Sequence, residues 1–365
     1  MNRSAYLLAL LPVGLFACEE NKPVPVGHRT APIASASAPA AATTVTIDKA
    51  QLANFAPLPK EMSSGENPTT AEKVELGRRL FYDKRLSKNH DVSCNSCHGL
   101  DNHGVDGKDF SVGHKGQKGG RNAPTVYNAA AQVAQFWDGR AANVEEQAKG
   151  PVLNPVEMAM PDEKRVLDTL KSIPQYVEAF KKAFPEADDP VTFDNMAKAI
   201  AAFERKLLTP SRWDAFLTGD SQALSEAEKE GFLKFSSTGC TACHNGAYVG
   251  GTTYQKLGAA KPWPNLEDEG RSAVTKEDKD KMMFKVPVLR EIEHTGPYFH
   301  DSSAKTLDDA VAMMGRHQLG KELSPEDRQS IIAWLETLSG KVPAEYVKEP
   351  EPYPSTDKTP KPDPQ

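Results

Sequence analysis

Two short motifs in the sequence have the residue types and spacing that attach an iron cofactor. Each is a copy of the pattern Cys-x-x-Cys-His: Cys94, Cys97 and His98 in the first, and Cys240, Cys243 and His244 in the second. In c-type haem attachment the two thiols add across the vinyl groups of the porphyrin, and the adjacent histidine ligates the iron. The sequence therefore predicts two covalently bound haem c groups.

The cysteine pairs have two alternative interpretations, a zinc site made of four thiolates or a pair of redox dithiols. Zinc-binding pairs usually lie much closer together than Cys94 and Cys240, which are 240 − 94 = 146 residues apart. Neither alternative requires a histidine directly after both pairs. Haem attachment is therefore the favoured interpretation.

The elements that position the motifs form a weak internal repeat. Residues 72–81 and 226–235 each show an amphipathic helix pattern, with Gly77 or Gly231 four residues before the phenylalanine that ends the pattern. Each pattern leads into a Cys-x-x-Cys-His motif. A repeat of this length indicates two related domains rather than a solenoid.

Further helix patterns fill most of the remaining chain. Thr192 and Ser324 are each predicted to cap a helix, and residues 162–184 read as two helices broken before Pro174. Long alternating strand patterns are absent from the sequence. We therefore predict a mainly α fold with two c-type cytochrome domains and the haems near the domain interface. The predicted segments are a signal peptide (1–18), a disordered linker (19–46), an N-terminal haem domain (47–210), a C-terminal haem domain (211–347) and a disordered tail (348–365).

Composition excludes some function classes. The 365 residues are 39% hydrophobic and 26% charged, which is normal for a globular protein and too polar for a membrane bundle. The net charge of −6 and the absence of a basic domain argue against nucleic-acid binding.

The N-terminus is predicted to direct export. Arg3 supplies a positive charge, residues 5–11 form a short apolar run, and residues 15–18 resemble a bacterial lipobox that ends at Cys18. Lipidation of Cys18 would account for the odd fifth cysteine, although the bulky Phe16 leaves ordinary signal-peptidase cleavage open. We expect a periplasmic protein, with a lipid anchor if Cys18 is acylated.

From about residue 71 to residue 340 the sequence resembles the bacterial di-haem cytochrome c peroxidases. Besides the two haem motifs, the matching runs are 113–114, 117–119, 121–125, 135–141, 155–158, 294–300, 314–315 and 318–320. The resemblance implies that hydrogen peroxide is reduced with electrons from a monohaem cytochrome c or a copper protein. Dimerisation is common in the family, so the resemblance is also compatible with a homodimer.

The resemblance also implies roles around the N-terminal haem, on which peroxide would react. His114, sixteen residues after His98, would be the displaceable second iron ligand, in a glycine-rich loop of low intrinsic order. Glu157 would move the proton during O–O cleavage, because that step takes a proton from one peroxide oxygen and returns it to the other. Trp137 would lie between the haems, and Gln147 matches a further position in the same pocket.

For the C-terminal haem the resemblance implies Met314 as the second ligand. The adjacent Met313 is the alternative ligand. Thioether ligation raises the reduction potential, so this haem would accept and store electrons. One calcium ion would bind between the domains through Asn122, Thr295 and Pro297. His300 follows that segment, and its role stays open.

Two other functions remain open at this point. A di-haem electron-transfer protein would carry both motifs without catalysis. A sister class of di-haem enzymes oxidises a protein substrate to form a tryptophan-derived cofactor. The resemblance implies that this class carries Tyr in place of Met314 and lacks the displaceable histidine, so both residues favour the peroxidase.

Overall fold

A computed structural model describes residues 44–365 of the chain. The predicted signal peptide, Cys18 and nearly all of the predicted linker lie outside the described residues. Within residues 44–365, none of the helices has the length and apolar character needed to cross a membrane.

Helices dominate residues 44–365, and the prediction of a mainly α fold is confirmed. In chain order they are α1 Lys49–Leu52, α2 Ala71–Tyr82, α3 Cys94–Cys97, α4 Val144–Leu153, α5 Glu163–Lys171, α6 Pro174–Ala183, α7 Phe193–Glu204, α8 Arg212–Leu217, α9 Glu226–Thr238, α10 Ser272–Thr275, α11 Leu307–Met313, α12 Pro325–Glu336 and α13 Ala344–Val347. Two short antiparallel strands, β1 Tyr254–Lys256 and β2 Met283–Lys285, pair with Tyr254 opposite Lys285.

The predicted helix starts agree with the structure. The Thr192 side chain accepts a hydrogen bond from the backbone N–H of Asn195, and Ser324 does the same for Asp327. These bonds satisfy N–H groups that have no partner within the first turn of a helix. Helices α5 and α6 are separated just before Pro174, as the sequence predicts.

The repeated glycine is explained by two close helix crossings. A Cβ atom at Gly77 of α2 would lie 1.9 Å from the carbonyl oxygen of Ala199 in α7. A Cβ atom at Gly231 of α9 would lie 2.1 Å from the carbonyl oxygen of Ser330 in α12. Each half of the chain therefore uses a glycine to bring the helix that precedes its haem motif against a second helix.

The two helix pairs belong to separate apolar clusters. The first contains buried residues of α2, α5, α6 and α7, such as Phe81 and Phe203. The second contains buried residues of α8, α9 and α12, and its centre is formed by Trp213, Phe232 and Trp334. The division near residue 210 stays a prediction, although the buried residues of the two clusters lie on either side of it in sequence.

Each end of the described chain packs on the cluster of the opposite half. Phe55 lies 5.4 Å from Phe232 between ring centroids, so residues predicted to belong to the N-terminal domain contact the second cluster. At the other end, Tyr346 and Tyr353 pack against the first cluster. These contacts connect sequence-distant segments, and no local pattern in the sequence indicates them.

The C-terminal segment 348–365 differs from the predicted disordered tail, because it lies along the N-terminal half with defined contacts. The Tyr353 ring packs edge-on against Tyr176 at 5.0 Å between centroids, and Thr359 is buried. Five basic side chains donate hydrogen bonds to backbone carbonyls of this segment: Arg78, Arg79, Arg85, Lys88 and Arg165. The polar, proline-rich composition of this segment suggested disorder. Side chains from the N-terminal half nevertheless bind the segment in a defined position.

Candidate active site

The first Cys-x-x-Cys-His motif opens onto a cavity of about 860 Å³. Cys94 and Cys97 begin and end the single turn of α3, and His98 follows directly. The His98 Nδ1 atom lies 3.4 Å from the carbonyl oxygen of Gly104, which leaves the opposite ring nitrogen available for a ligand. Burial lowers the pKa of His98, so the imidazole is neutral, which is the form that binds a metal.

The second motif opens onto a narrower cavity of about 230 Å³. Gly239 ends α9 with a positive φ of 109°, and the Cys240–His244 motif begins at the next residue. The His244 Nδ1 atom lies 3.4 Å from the carbonyl oxygen of Val249, and burial lowers the pKa of His244 to about 4. Both motifs therefore present a neutral, oriented imidazole to a cavity that also contains two thiols.

The thiols do not have the properties of zinc or redox sites. Burial raises the pKa of Cys94 to about 12 and that of Cys240 to about 11, whereas reactive redox cysteines have a lowered pKa. Within residues 44–365 no three His, Cys, Asp or Glu side chains are grouped to hold a metal ion. A cavity lined by two thiols and an imidazole fits a covalently attached macrocycle.

Glu157 and Gln147 both line the first cavity, Gln147 from within α4 and Glu157 from the segment that follows it. Asn154 Nδ2 donates a hydrogen bond to Glu157 Oε1 at 2.8 Å. Burial raises the pKa of Glu157, and the charge of Arg140 and the hydrogen bond from Asn154 only partly oppose it. Glu157 is thus a carboxyl group that can exchange a proton closer to neutral pH than an exposed glutamate.

Arg140 and Asn154 were assigned no role from the sequence, and both line this cavity. The Arg140 guanidinium lies 3.5 Å from the centroid of the Phe136 ring, and it also bonds the carboxylate of Asp138. Arg140 lies within the run 135–141 that carries the resemblance, so a signal was present. Asn154 had none, because its relevance depends on contact with Glu157.

His114 is buried, and its backbone N–H donates a hydrogen bond to the carbonyl oxygen of Glu157 at 2.8 Å. No described residue bonds its Nδ1 atom, so a buried imidazole nitrogen lacks a partner. The neighbouring Gly113 lines the first cavity, whereas His114 itself does not. The structure brings His114 beside Glu157, and its service as an iron ligand stays a prediction.

The loop around His114 is more ordered than its glycine content suggested. Val112 and Lys118 form an antiparallel bridge, and the N–H of Gly113 donates to the carbonyl of Gln117. A Cβ atom at Gly113 would lie 2.3 Å from the carbonyl oxygen of Val156, so glycine allows close contact there. Displacement of His114 therefore requires breaking specific bonds rather than a reorientation of a loose segment.

Met314 lines the second cavity together with His244, and its neighbour Met313 does not. The helix α11 ends at Met313, and residues Met314–Gln318 form a single π-helical turn. Of the two adjacent methionines, the structure thus brings Met314 to the cavity.

Trp137 lines both cavities, and His300 does as well. The Trp137 Nε1 atom donates a hydrogen bond to the carbonyl oxygen of Asn122 at 2.9 Å. His300 is buried and stacks on the Phe284 ring at 4.3 Å between centroids. Burial lowers the pKa of His300, which favours its neutral form.

The residues predicted to bind calcium, Asn122, Thr295 and Pro297, all line the second cavity. The Asn122 Nδ2 atom donates a hydrogen bond to the carbonyl oxygen of Lys108 at 3.0 Å. No described residue donates a hydrogen bond to the Asn122 Oδ1 atom, so this oxygen is available to a cation. An amide oxygen and backbone carbonyls are ligands that Ca²⁺ accepts, with water completing the shell. The donor set fits, although no carboxylate belongs to it.

Comparisons with known proteins agree with this geometry. Residues 71–222 match the family model described as di-haem cytochrome c peroxidase. The chain is 48% identical over 316 residues to the cytochrome c551 peroxidase of Pseudomonas aeruginosa, covering 84% of this chain and 90% of that protein. It is also 48% identical over 299 residues to the cytochrome c551 peroxidase of Nitrosomonas europaea, covering 81% and 88%.

A solved structure shares the fold. The crystal structure of a MauG-like protein associated with microbial copper homeostasis superimposes with a TM-score of 0.71 at 28% identity, covering 80% of this chain and 97% of the other. The relatives named as peroxidases are more similar in sequence than this MauG-like protein. The chain therefore belongs to the di-haem cytochrome c peroxidase family.

Proposed function

We propose that this protein reduces hydrogen peroxide to water with electrons from a small soluble cytochrome c or copper protein. The observation that carries the proposal is the asymmetry of two cavities that share a haem-attachment motif. The first contains a buried carboxyl group, Glu157, and the second contains a thioether, Met314. A plain electron carrier has no use for a proton-exchanging group beside one cofactor.

Two haem groups, held through Cys94, Cys97, Cys240 and Cys243 with His98 and His244 as ligands, would supply the iron that binds peroxide and the stored electrons. The net reaction consumes one peroxide, two protons and two electrons and produces two waters. Glu157 takes the proton from one peroxide oxygen and returns it to the other. Asn154 holds the Glu157 carboxyl group at 2.8 Å, and Gln147 and Arg140 provide polar groups in the same cavity.

His114 controls access to the first cavity in this proposal. His98 and His114 would both hold the iron of the resting protein, and peroxide would bind only after His114 has left. Its backbone bond to the Glu157 carbonyl couples the position of His114 to the segment that carries the acid–base group. Movement of His114 and positioning of Glu157 are therefore parts of one rearrangement.

Met314 and Trp137 serve electron supply. Met314 would be the second ligand of the C-terminal haem, and its thioether would raise the reduction potential of that site and make it the entry point for electrons. Trp137, which lines both cavities, provides a packed aromatic group between the two sites.

Calcium and export complete the proposal. Ca²⁺ bound by Asn122, Thr295 and Pro297 would fix the segment that accepts the Trp137 hydrogen bond. The N-terminal sequence supports export to the periplasm, and acylation of Cys18 would anchor the protein to a membrane. Two domains that meet near residue 210 also belong to the proposal.

Stopped-flow mixing separates this function from simple electron transfer. The haem-loaded protein is mixed with a reduced monohaem cytochrome c and hydrogen peroxide, and oxidation of the donor is followed by absorbance. We expect catalytic oxidation of two donor molecules for each peroxide. An electron carrier would behave differently. It would accept two electrons per chain from the donor and then stop, and the addition of peroxide would not restart oxidation of the donor.

A further inference from the structure

The second cavity has an unbalanced charge. Its lining residues include two lysines, Lys256 and Lys285, and no aspartate or glutamate. The first cavity contains groups of both signs: Arg121, Arg140, Asp138, Glu157, Glu204, Glu267, Asp268 and Asp301. Only the second cavity therefore presents positive side chains without an anion of its own.

Lys285 is the unusual member of this pair because it is buried, with 8% of its surface exposed. It ends β2, and its backbone N–H donates a hydrogen bond to the carbonyl oxygen of Trp137 at 2.8 Å. Its Nζ atom bonds the side-chain oxygen of Gln132. Within residues 44–365, no carboxylate forms an ion pair with Lys285, whereas Lys256 is exposed to solvent.

Burial of an ammonium group with only a neutral acceptor is unfavourable, and such a group either loses its proton or meets an anion. Burial lowers the pKa of Lys285 to about 8, and no charged neighbour opposes this effect. A partner that keeps the Lys285 ammonium charged must therefore be an anion that enters the cavity from outside residues 44–365. Haem carries two propionate carboxylates, and this cavity contains Cys240, Cys243 and His244.

We infer that Lys285 forms an ion pair with a propionate of the haem attached at Cys240 and Cys243, and thereby raises the reduction potential of that site. The inference rests on the proposed role of this cavity as the electron-accepting haem site. A fixed positive charge stabilises the reduced state of a nearby redox centre, because reduction adds a negative charge. Lys285 is thus a positioning residue that acts in the same direction as Met314.

The backbone of Lys285 extends the consequence to Trp137. Its N–H holds the Trp137 carbonyl, and the Trp137 indole in turn bonds Asn122. An ion pair at Lys285 therefore fixes one end of the segment that lies between the two cavities.

The test is a spectroelectrochemical titration of the haem-loaded Lys285→Met variant, after its content of two haems per chain has been verified. We expect the ratio of reduced to oxidised C-terminal haem at a fixed potential to fall on the order of tenfold, equivalent to about 59 mV for one electron. The N-terminal haem serves as an internal reference and keeps its potential. Lys285→Arg, which retains the charge, stays close to the unchanged protein.

Lys256→Met is the matched control, because it removes a lysine of the same cavity whose charge is screened by solvent. An unchanged C-terminal potential in Lys285→Met, or an equal shift in Lys256→Met, overturns the inference. Peroxide turnover of the unsubstituted protein is measured separately. If the proposed function fails, this turnover is absent while the C-terminal reduction potential still shifts in Lys285→Met.

A crystal structure of the haem-loaded, unsubstituted protein provides the test if Lys285→Met does not fold. The inference requires Lys285 Nζ within about 3.2 Å of a propionate oxygen, the ordinary range for a hydrogen bond. A propionate directed away from Lys285, with the amine still bound only to Gln132, would overturn it.

Discussion

At the level of single residues, the proposed peroxide chemistry depends on a buried carboxyl group that shares a cavity with the first haem motif. Within residues 44–365 no lysine, arginine or histidine forms an ion pair with Glu157, and its one side-chain hydrogen bond comes from Asn154 at 2.8 Å. Its raised pKa follows first from burial. The group is therefore suited to proton transfer rather than to an ion pair.

Replacing Glu157 with Gln should lower peroxide turnover by about 10²-fold or more, because the amide keeps the shape but cannot exchange the proton. Steady-state assays with a reduced donor measure the effect, with Glu146→Gln on the exposed face of α4 as the control. Unchanged turnover in Glu157→Gln would remove this residue from the mechanism.

The pH dependence of turnover gives a second, independent measurement. Glu157 must be ionised to accept a proton, so kcat/KM should rise with pH as this carboxyl group ionises. Because burial raises the pKa of Glu157, the rise should lie above the range of an exposed glutamate. A rise with an ordinary glutamate pKa, or one that persists in Glu157→Gln, contradicts the assignment.

Motifs and the family resemblance identified the haem-attaching residues of both cavities and several of the other lining residues, because covalent haem attachment needs a fixed local pattern. Lys285, Arg140 and Asn154 were not assigned from the sequence. Their importance arises from burial and from side-chain contacts in the folded protein. The local sequence around a single lysine or asparagine does not predict its burial or its contacts.

At the scale of elements, the glycine in each repeat is a packing requirement. Gly77 and Gly231 allow α2 and α9 to approach a second helix so closely that a methyl group would overlap its backbone. These helices precede the haem motifs, so the crossings set where the motifs lie.

Gly77→Ala should therefore lower the free energy of unfolding by about 1–3 kcal/mol, since the extra carbon meets backbone that cannot rotate away. Thermal and denaturant unfolding of the haem-loaded protein measure the change. Gly65→Ala is the matched control, because no atom lies within 4 Å of a Cβ built there. Equal stability of the two variants would show that the α2–α7 crossing adjusts freely.

The helices were predictable because their caps and apolar spacing are local. The pair β1 and β2 was not, because strands of three residues are too short to show alternation. The π-helical turn at Met314 was also missed, since its backbone has no distinct sequence pattern.

At the scale of the whole molecule, the two ends of the described chain connect the halves. Phe55 packs on the second apolar cluster, and the segment 348–365 is held on the N-terminal half by five basic side chains. The predicted domain boundaries did not anticipate that each end of the described chain packs on the opposite half. A proline-rich, charged tail shows no periodicity from which such packing could be inferred.

Deleting residues 349–365 should lower the melting temperature by about 5 °C or more, since the loss of a few kcal/mol shifts a protein of this size by several degrees. Deleting only residues 355–365, which keeps Tyr353 and its contact with Tyr176, should cost less. Differential scanning calorimetry of both truncations measures the order. Equal melting temperatures for all three proteins would show that the tail contributes no stability.

The central claim is that the two haem sites differ and that only one of them opens. Cyanide binding to the fully oxidised and to the half-reduced protein tests it most directly, with one electron per chain added before mixing. Reduction of the C-terminal haem is proposed to release His114 from the N-terminal iron. We therefore expect the half-reduced protein to bind one cyanide per chain at the N-terminal haem, whereas the oxidised protein binds none on the same time scale. Equal binding by both forms, or binding at both haems, would contradict it.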